Sequence, residues 1–230
     1  MRQLPLAVRL QDVAVFETFE PGPNGAAVAL LADPATAGPA FWLWGPAGSG
    51  KTHLLQAACA ASDSAAYLPA SQLLAAGPGV LEGWEDRALV CLDDIDLLAG
   101  RREWELAAFA LFNALWERGG RLVASAAAGP AVVKFQLPDL QSRLAWGGAF
   151  RLQPLSDEER VLALRRRAAH RGLDLRMDAA RYLLRRLPRD MRALCDWLDR
   201  LDVASLAAGK RLTLPFVRSV VESGTARLNA

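Results

Sequence analysis

The sequence predicts an α/β protein: a three-layer sandwich on a parallel five-stranded sheet, followed by a small all-helical domain. Three observations predict it. Short apolar runs alternate with amphipathic stretches across short links, the pattern of a sheet covered on both faces. A glycine-rich loop separates the first such run from the first long helical stretch. Near Pro154 the composition turns arginine-rich and helical. The 230 residues, 52% hydrophobic and 23% charged, suffice for one good core plus a small second unit.

Taken in order, residues 1–39 form a leader rich in Pro, Gly and Ala. Ala40 to Trp44 is short, apolar and aromatic and ends at Gly-Pro, a buried strand. A helix is expected from Lys51 to Ala61, a strand from Ala65 to Leu68 and a short helix from Ser71 to Ala76. Ala88 to Leu92 is a continuous apolar run stopped by Asp93-Asp94. Leu106, Phe109, Ala110, Phe112, Leu115 and Trp116 recur at helical spacing over Glu103–Arg118. Arg121 to Ser125 and Ala149 to Leu152 complete the strands. After Pro154, Ser156-Asp157-Glu158-Glu159 is a capping box opening a helix to Arg171, with Gly172 as its stop. Asp178 is expected to cap a second helix to Leu187. A third runs from Arg189 to Ala207, and Pro215 opens a last one to Glu222. The expected divisions are a flexible segment 1–15, an α/β domain 16–154 and a helical domain 155–230.

No apolar run approaches the ~18 residues of a membrane span; the longest, Ala26 to Ala32, has seven. The N-terminus lacks an apolar signal region, and Cys59, Cys91 and Cys195 lack metal spacing. The expectation is a cytoplasmic protein in a reducing compartment, with no membrane partner. The net charge of +2 divides unevenly. Residues 1–150 carry ten basic and fifteen acidic side chains, and residues 151–230 carry seventeen and ten. Of the basic residues 24 are Arg and three Lys, so each lysine stands out.

Gly45-Pro46-Ala47-Gly48-Ser49-Gly50-Lys51-Thr52 fits the phosphate-binding loop G-x-x-x-x-G-K-[ST]. Its glycines let backbone amides wrap phosphates at the positive end of the next helix. Lys51 would reach the β- and γ-phosphates, and the Thr52 hydroxyl would bind Mg²⁺. Asp93, at the end of a buried strand, would lie near the same metal, and Asp94 would orient an attacking water. Ser125 ends the next strand, within reach of a phosphate or that water.

Further stretches match in order: His53-Leu54-Leu55 after the loop, Leu92-Asp93-Asp94-Ile95 with Leu98-Ala99-Gly100, and Phe112-Asn113-Ala114-Leu115. Leu140-Gln141-Ser142-Arg143-Leu144-Ala145-Trp146-Gly147 and Arg189-Asp190-Met191-Arg192-Ala193-Leu194 follow. From about Phe16 to Glu222 the chain resembles the AAA+ nucleotide-binding module of the DnaA type. The resemblance implies ADP or ATP with Mg²⁺ held by Gly45–Thr52, His53 and Arg192, with Thr52 and Asp93 on the metal. It implies Ser125 as sensor 1, Arg192 as sensor 2 and Arg143 as an arginine finger. The chain departs from the family at Ala127-Ala128, where Asp-Arg is usual.

Initiators of this family carry a further DNA-binding domain of about 100 residues, a typical domain length, and the expectation here is that the helical domain is the last. Gln3, Leu4 and Leu6 resemble a peptide that docks on the bacterial sliding clamp. Within the family the set is similar to the regulatory inactivators of DnaA. That implies a negative regulator of replication initiation that docks on the DNA-loaded clamp, the β subunit of DNA polymerase III, and stimulates hydrolysis of DnaA-bound ATP. DNA would be met mainly through the clamp, placing the protein at the bacterial nucleoid, with self-association open. The alternative is a DNA-acting AAA+ ATPase, initiator-like or helicase-loader-like.

Overall fold

The computed structural model describes residues 14–33 and 38–228, with side chains as far as residue 224. Helix α1 (Gly25–Ala32) follows two short 3-10 turns. Then come β1 (Ala40–Trp44), α2 (Lys51–Ala60), β2 (Ala65–Pro69), α3 (Ala70–Leu73) and β3 (Leu89–Asp93). They are followed by α4 (Arg102–Glu117), β4 (Arg121–Ala126), α5 (Pro138–Leu144) and β5 (Ala149–Arg151). All strands pair in parallel, in the order β2-β3-β4-β1-β5. β1 and β3 therefore both lie inside the sheet, flanking β4, and strand ends from distant parts of the sequence meet at one edge.

Side-chain alternation along the strands sorts the two faces. Trp42, Ala66, Leu68, Val90, Leu92, Leu122 and Ala124 form one core with Ala108, Leu111, Phe112 and Leu115 of α4 and Leu140 and Leu144 of α5. The intervening positions, among them Tyr67, Asp93 and Ser125, fall on the face that carries α2. Trp42 is fully buried, and its indole N–H donates to the Ala128 carbonyl at 3.1 Å.

The second unit holds α6 (Asp157–His170), α7 (Met177–Arg186), α8 (Met191–Ala208) and α9 (Leu214–Leu228) around Leu164, Leu183, Leu194, Leu198, Leu201 and Val217. Contacts divide the chain at Leu152/Gln153 and group Glu17–Gly25 with the helical unit rather than with the sheet. The buried Asn24 explains the grouping: its amide donates to the Gln153 carbonyl at 2.9 Å and accepts from the Gln153 N–H at 2.7 Å. Glu20 adds an ion pair to Arg166 at 3.3 Å. The capping box forms as expected, Ser156 accepting from the Glu159 amide and Glu159 from the Ser156 amide.

Several expectations need correction. The leader contains α1, hidden in a sequence of small apolar residues with no periodicity. Asp178 is not the cap of α7: Arg176 holds that position, and the Asp178 carboxylate accepts the adjacent Ala179 amide within the first turn. α8 begins at Met191, because the Asp190 side chain caps it by accepting the Ala193 amide. In α4 the expected apolar stripe is rotated: Leu106 and Trp116 are 45% exposed, while Trp104, Glu105, Ala108 and Leu111 face inward.

Candidate functional site

The Gly45–Thr52 loop joins the end of β1 to the start of α2. Gly45 is held by close approach: a Cβ there would lie 2.4 Å from the Leu152 carbonyl oxygen. Gly50 has φ of 95° and is the N-cap of α2, a left-handed position that favours glycine. The loop folds over the Lys51 ammonium, which donates to the carbonyls of Gly45 at 2.8 Å and Pro46 at 3.2 Å. Lys51 is 9% exposed, and among the described residues no carboxylate lies within ion-pair distance of it. Ser49 Oγ is buried with no hydrogen-bond partner among the described residues.

A buried cation with no ion pair among the described residues, an unsatisfied hydroxyl and the positive end of a helix fit an anionic oxygen-rich group such as a phosphate. Among the described residues no three His, Cys, Asp or Glu gather as a metal site. A divalent cation here would therefore take phosphate oxygens and water beside Thr52 and Asp93, as Mg²⁺ commonly does.

Asp93, 2% exposed, is the hub. Its Oδ2 accepts from Thr52 Oγ1 at 2.8 Å and from the Tyr67 phenol at 2.7 Å. Its Oδ1 accepts from the Ser125 hydroxyl. Burial, followed by the charge of Asp93, pushes the Tyr67 phenol far above its ordinary value. Ser125 is fully buried, and its oxygen accepts the Asp94 amide at 3.0 Å. Its one proton faces Asp93, so in this arrangement it orients the carboxylate.

Asp94 is the one non-glycine residue with positive φ (57°) among those described. Burial first, then Asp93 and Asp96, raise its carboxyl above the ordinary range, while Lys51 lowers it. A raised carboxyl on a strained turn beside the hub suits proton transfer with a water. The Ala127-Ala128 departure is bridged through the backbone: the Ala127 amide donates to Asp96 Oδ2 at 3.3 Å, and the Ala128 carbonyl accepts from Trp42. His53, placed by its motif at the nucleotide, has its Nε2 against the Val15 carbonyl at 3.1 Å, tying α2 to the segment before the sheet.

Arg143 lies elsewhere. Its guanidinium is 4.7 Å from the Trp146 ring centroid, 5.3 Å from Trp116 and 6.0 Å from Phe112. The two indoles pack edge to face at 4.6 Å and are 48% and 45% exposed. This box stands at the end of the sheet opposite the loop. Gly147, just past Trp146, donates to the carbonyl of Ala40, where β1 begins, at 2.7 Å, and Gly120 after Trp116 leads into β4. The five residues of β1 put about 16 Å between that end and the loop. Arg192 is exposed on the first turn of α8 in the helical unit. Gln3, Leu4 and Leu6 fall outside the described residues.

Sequence reasoning passed over Tyr67, the indole box and Glu105. Glu105, fully buried, accepts from the Gly100 amide at 2.7 Å and the Leu137 amide at 2.8 Å, joining the turn after β3 to the residue that caps α5.

The architecture has solved counterparts. Domain III of the replication initiation protein DnaA from Thermotoga maritima superposes with a TM-score of 0.73 at 21% identity, over 91% of this chain and 96% of that one. The fold is AAA+. A replication initiator DnaA bound to AMPPCP and single-stranded DNA gives 0.63 at 22% identity, over 82% of this chain and 64% of that chain. The RuvB Holliday junction branch migration motor of Thermotoga maritima gives 0.57 at 18% identity, over 87% and 67%. This chain thus spans about two thirds of the length of both longer proteins. Residues 157–221, in the helical unit, match the family model described as Hda, lid domain. Among the described residues no helix is long and apolar enough to cross a membrane.

Proposed function

We propose that this protein is a nucleotide-bound negative regulator of replication initiation, which stimulates hydrolysis of ATP on DnaA. The observation that carries the reading is the placement of Arg143. It lies at the end of the sheet opposite its own phosphate loop and has no carboxylate within ion-pair distance among the described residues. A cation so placed serves a phosphate held by another molecule.

In this reading Gly45–Thr52 hold ADP or ATP, Thr52 and Asp93 face Mg²⁺, and Arg192 reaches the nucleotide from the lid. Asp94 and Ser125 serve the protein's own slower turnover. Gln3, Leu4 and Leu6 dock on the β sliding clamp, which brings the protein to DNA and to the bacterial nucleoid. Arg143 is then presented to the γ-phosphate on DnaA, where positive charge stabilises the transition state. Arginine fingers contribute on the order of 10³–10⁵ in rate. The Hda-type lid and the DnaA-type sheet support this assignment.

The test is hydrolysis of DnaA-bound ATP on clamp-loaded DNA, wild type against Arg143→Ala. Stimulation by the wild type and its loss in the variant are expected; no stimulation by the wild type refutes the role. The alternative, a DNA-acting AAA+ ATPase, draws on Arg181 and Arg185, exposed one turn apart on α7 with no ion pair among the described residues. Steeply salt-dependent DNA binding without the clamp would favour it.

A further inference from the structure

We propose that Tyr67 is a positioning residue for the divalent cation: it holds Oδ2 of Asp93 in place and so sets the magnesium concentration at which nucleotide binding tightens. The proposal rests on the reading of Gly45–Thr52 as a magnesium–nucleotide site. Asp93 receives three hydroxyl donors from three elements: Thr52 on α2, Tyr67 on β2 and Ser125 on β4.

Their duties differ. Thr52 gives its proton to Asp93 and keeps lone pairs for a cation. Ser125 spends its proton on Oδ1 and its lone pair on the Asp94 amide. The Tyr67 hydroxyl, 2.7 Å from Oδ2, is the one phenol at the hub and stands away from the loop's own sequence, on a neighbouring strand. Pro69 pairs with Asp93 in the β2–β3 register, so Tyr67, two residues earlier, shares its face and sends the long phenol along the strand to reach it. Thr52 and Tyr67 grip the same oxygen from two sides. That grip fixes the rotation of the carboxylate, and with it the direction in which Asp93 meets cation-bound water. An outer-shell partner of this kind commonly controls metal affinity by about 10–100-fold.

The experiment compares wild type and Tyr67→Phe by binding of fluorescent ADP, in EDTA and across a MgCl₂ titration. Phenylalanine keeps the ring and removes one hydroxyl. Affinity in EDTA should stay within about twofold, reporting an intact loop, while the half-saturating Mg²⁺ concentration rises roughly tenfold. An unchanged half-saturating concentration overturns the proposal. So does an equal loss of affinity with and without Mg²⁺, the mark of a purely structural hydrogen bond. A wild type that binds ADP without any response to Mg²⁺ refutes the underlying reading of the site, and this proposal with it.

Discussion

Glu105→Ala is expected to be among the most damaging single substitutions in the α/β unit outside the nucleotide loop. The carboxylate is fully buried and accepts two backbone amides, Gly100 at 2.7 Å and Leu137 at 2.8 Å. Hydrogen bonds to a charged group contribute about 1.5–3 kcal/mol each, and alanine removes the acceptor of both amides. Because the two bonds share one carboxylate their losses overlap, and about 4 kcal/mol is a reasonable total. For a chain of this size each kcal/mol moves Tm by roughly 2–4 °C, so the midpoint should fall by about 8–16 °C. The assay is thermal unfolding followed by tryptophan emission, which reports the α/β unit through Trp42, Trp104 and Trp116. Glu105→Gln keeps one acceptor oxygen and turns an NH₂ toward the other amide, so it should fall by an intermediate amount. A shift under about 3 °C for Glu105→Ala would refute the reasoning, since by that scale it leaves no more than about 1.5 kcal/mol for both bonds.

Trp146→Ala removes the nearest of the three rings around Arg143, a contact of about 0.5–1 kcal/mol at an exposed site. Maximal stimulation of DnaA-bound ATP hydrolysis should fall severalfold while affinity for nucleotide, measured on the protein alone, is unchanged. Asp94→Asn should raise Tm at neutral pH and abolish the protein's own hydrolysis. The folded carboxyl is raised by burial, Asp93 and Asp96, so its ionised form carries a penalty above the unfolded pKa that is absent in acid. The gain, measured by thermal unfolding of the nucleotide-free protein, should therefore shrink as pH falls.

The legible parts of this molecule are those written locally. The Gly45–Thr52 loop, the run ending at Asp93 and the Ser156–Glu159 box each fit inside eight residues, and each forms where the sequence puts it. What escaped is non-local. Glu105 sits among apolar neighbours on α4, and nothing near it announces that its second partner is Leu137, 32 residues on. The indole of Trp116 reads as part of an apolar stripe because aromatic residues at helical spacing normally are, and Trp146 stands only as part of the stretch around Arg143. Only the α4–α5 packing shows that they flank a guanidinium.

Tyr67 makes the general point. Its role depends on the β2–β3 register, in which it lies opposite Cys91 and two residues short of the Pro69–Asp93 pair. That register is held on the other face of the same strands, by Ala66 and Leu68 packing with Val90 and Leu92 against the core. A slip of one residue would turn Tyr67 into the apolar layer and bring Ala66 or Leu68 to the hub. The phenol therefore reaches the Asp93 carboxylate because of apolar packing on the opposite face of the same strands. Substitutions on that apolar face that leave stability intact but shift register would change the response to magnesium before they change anything else at the site.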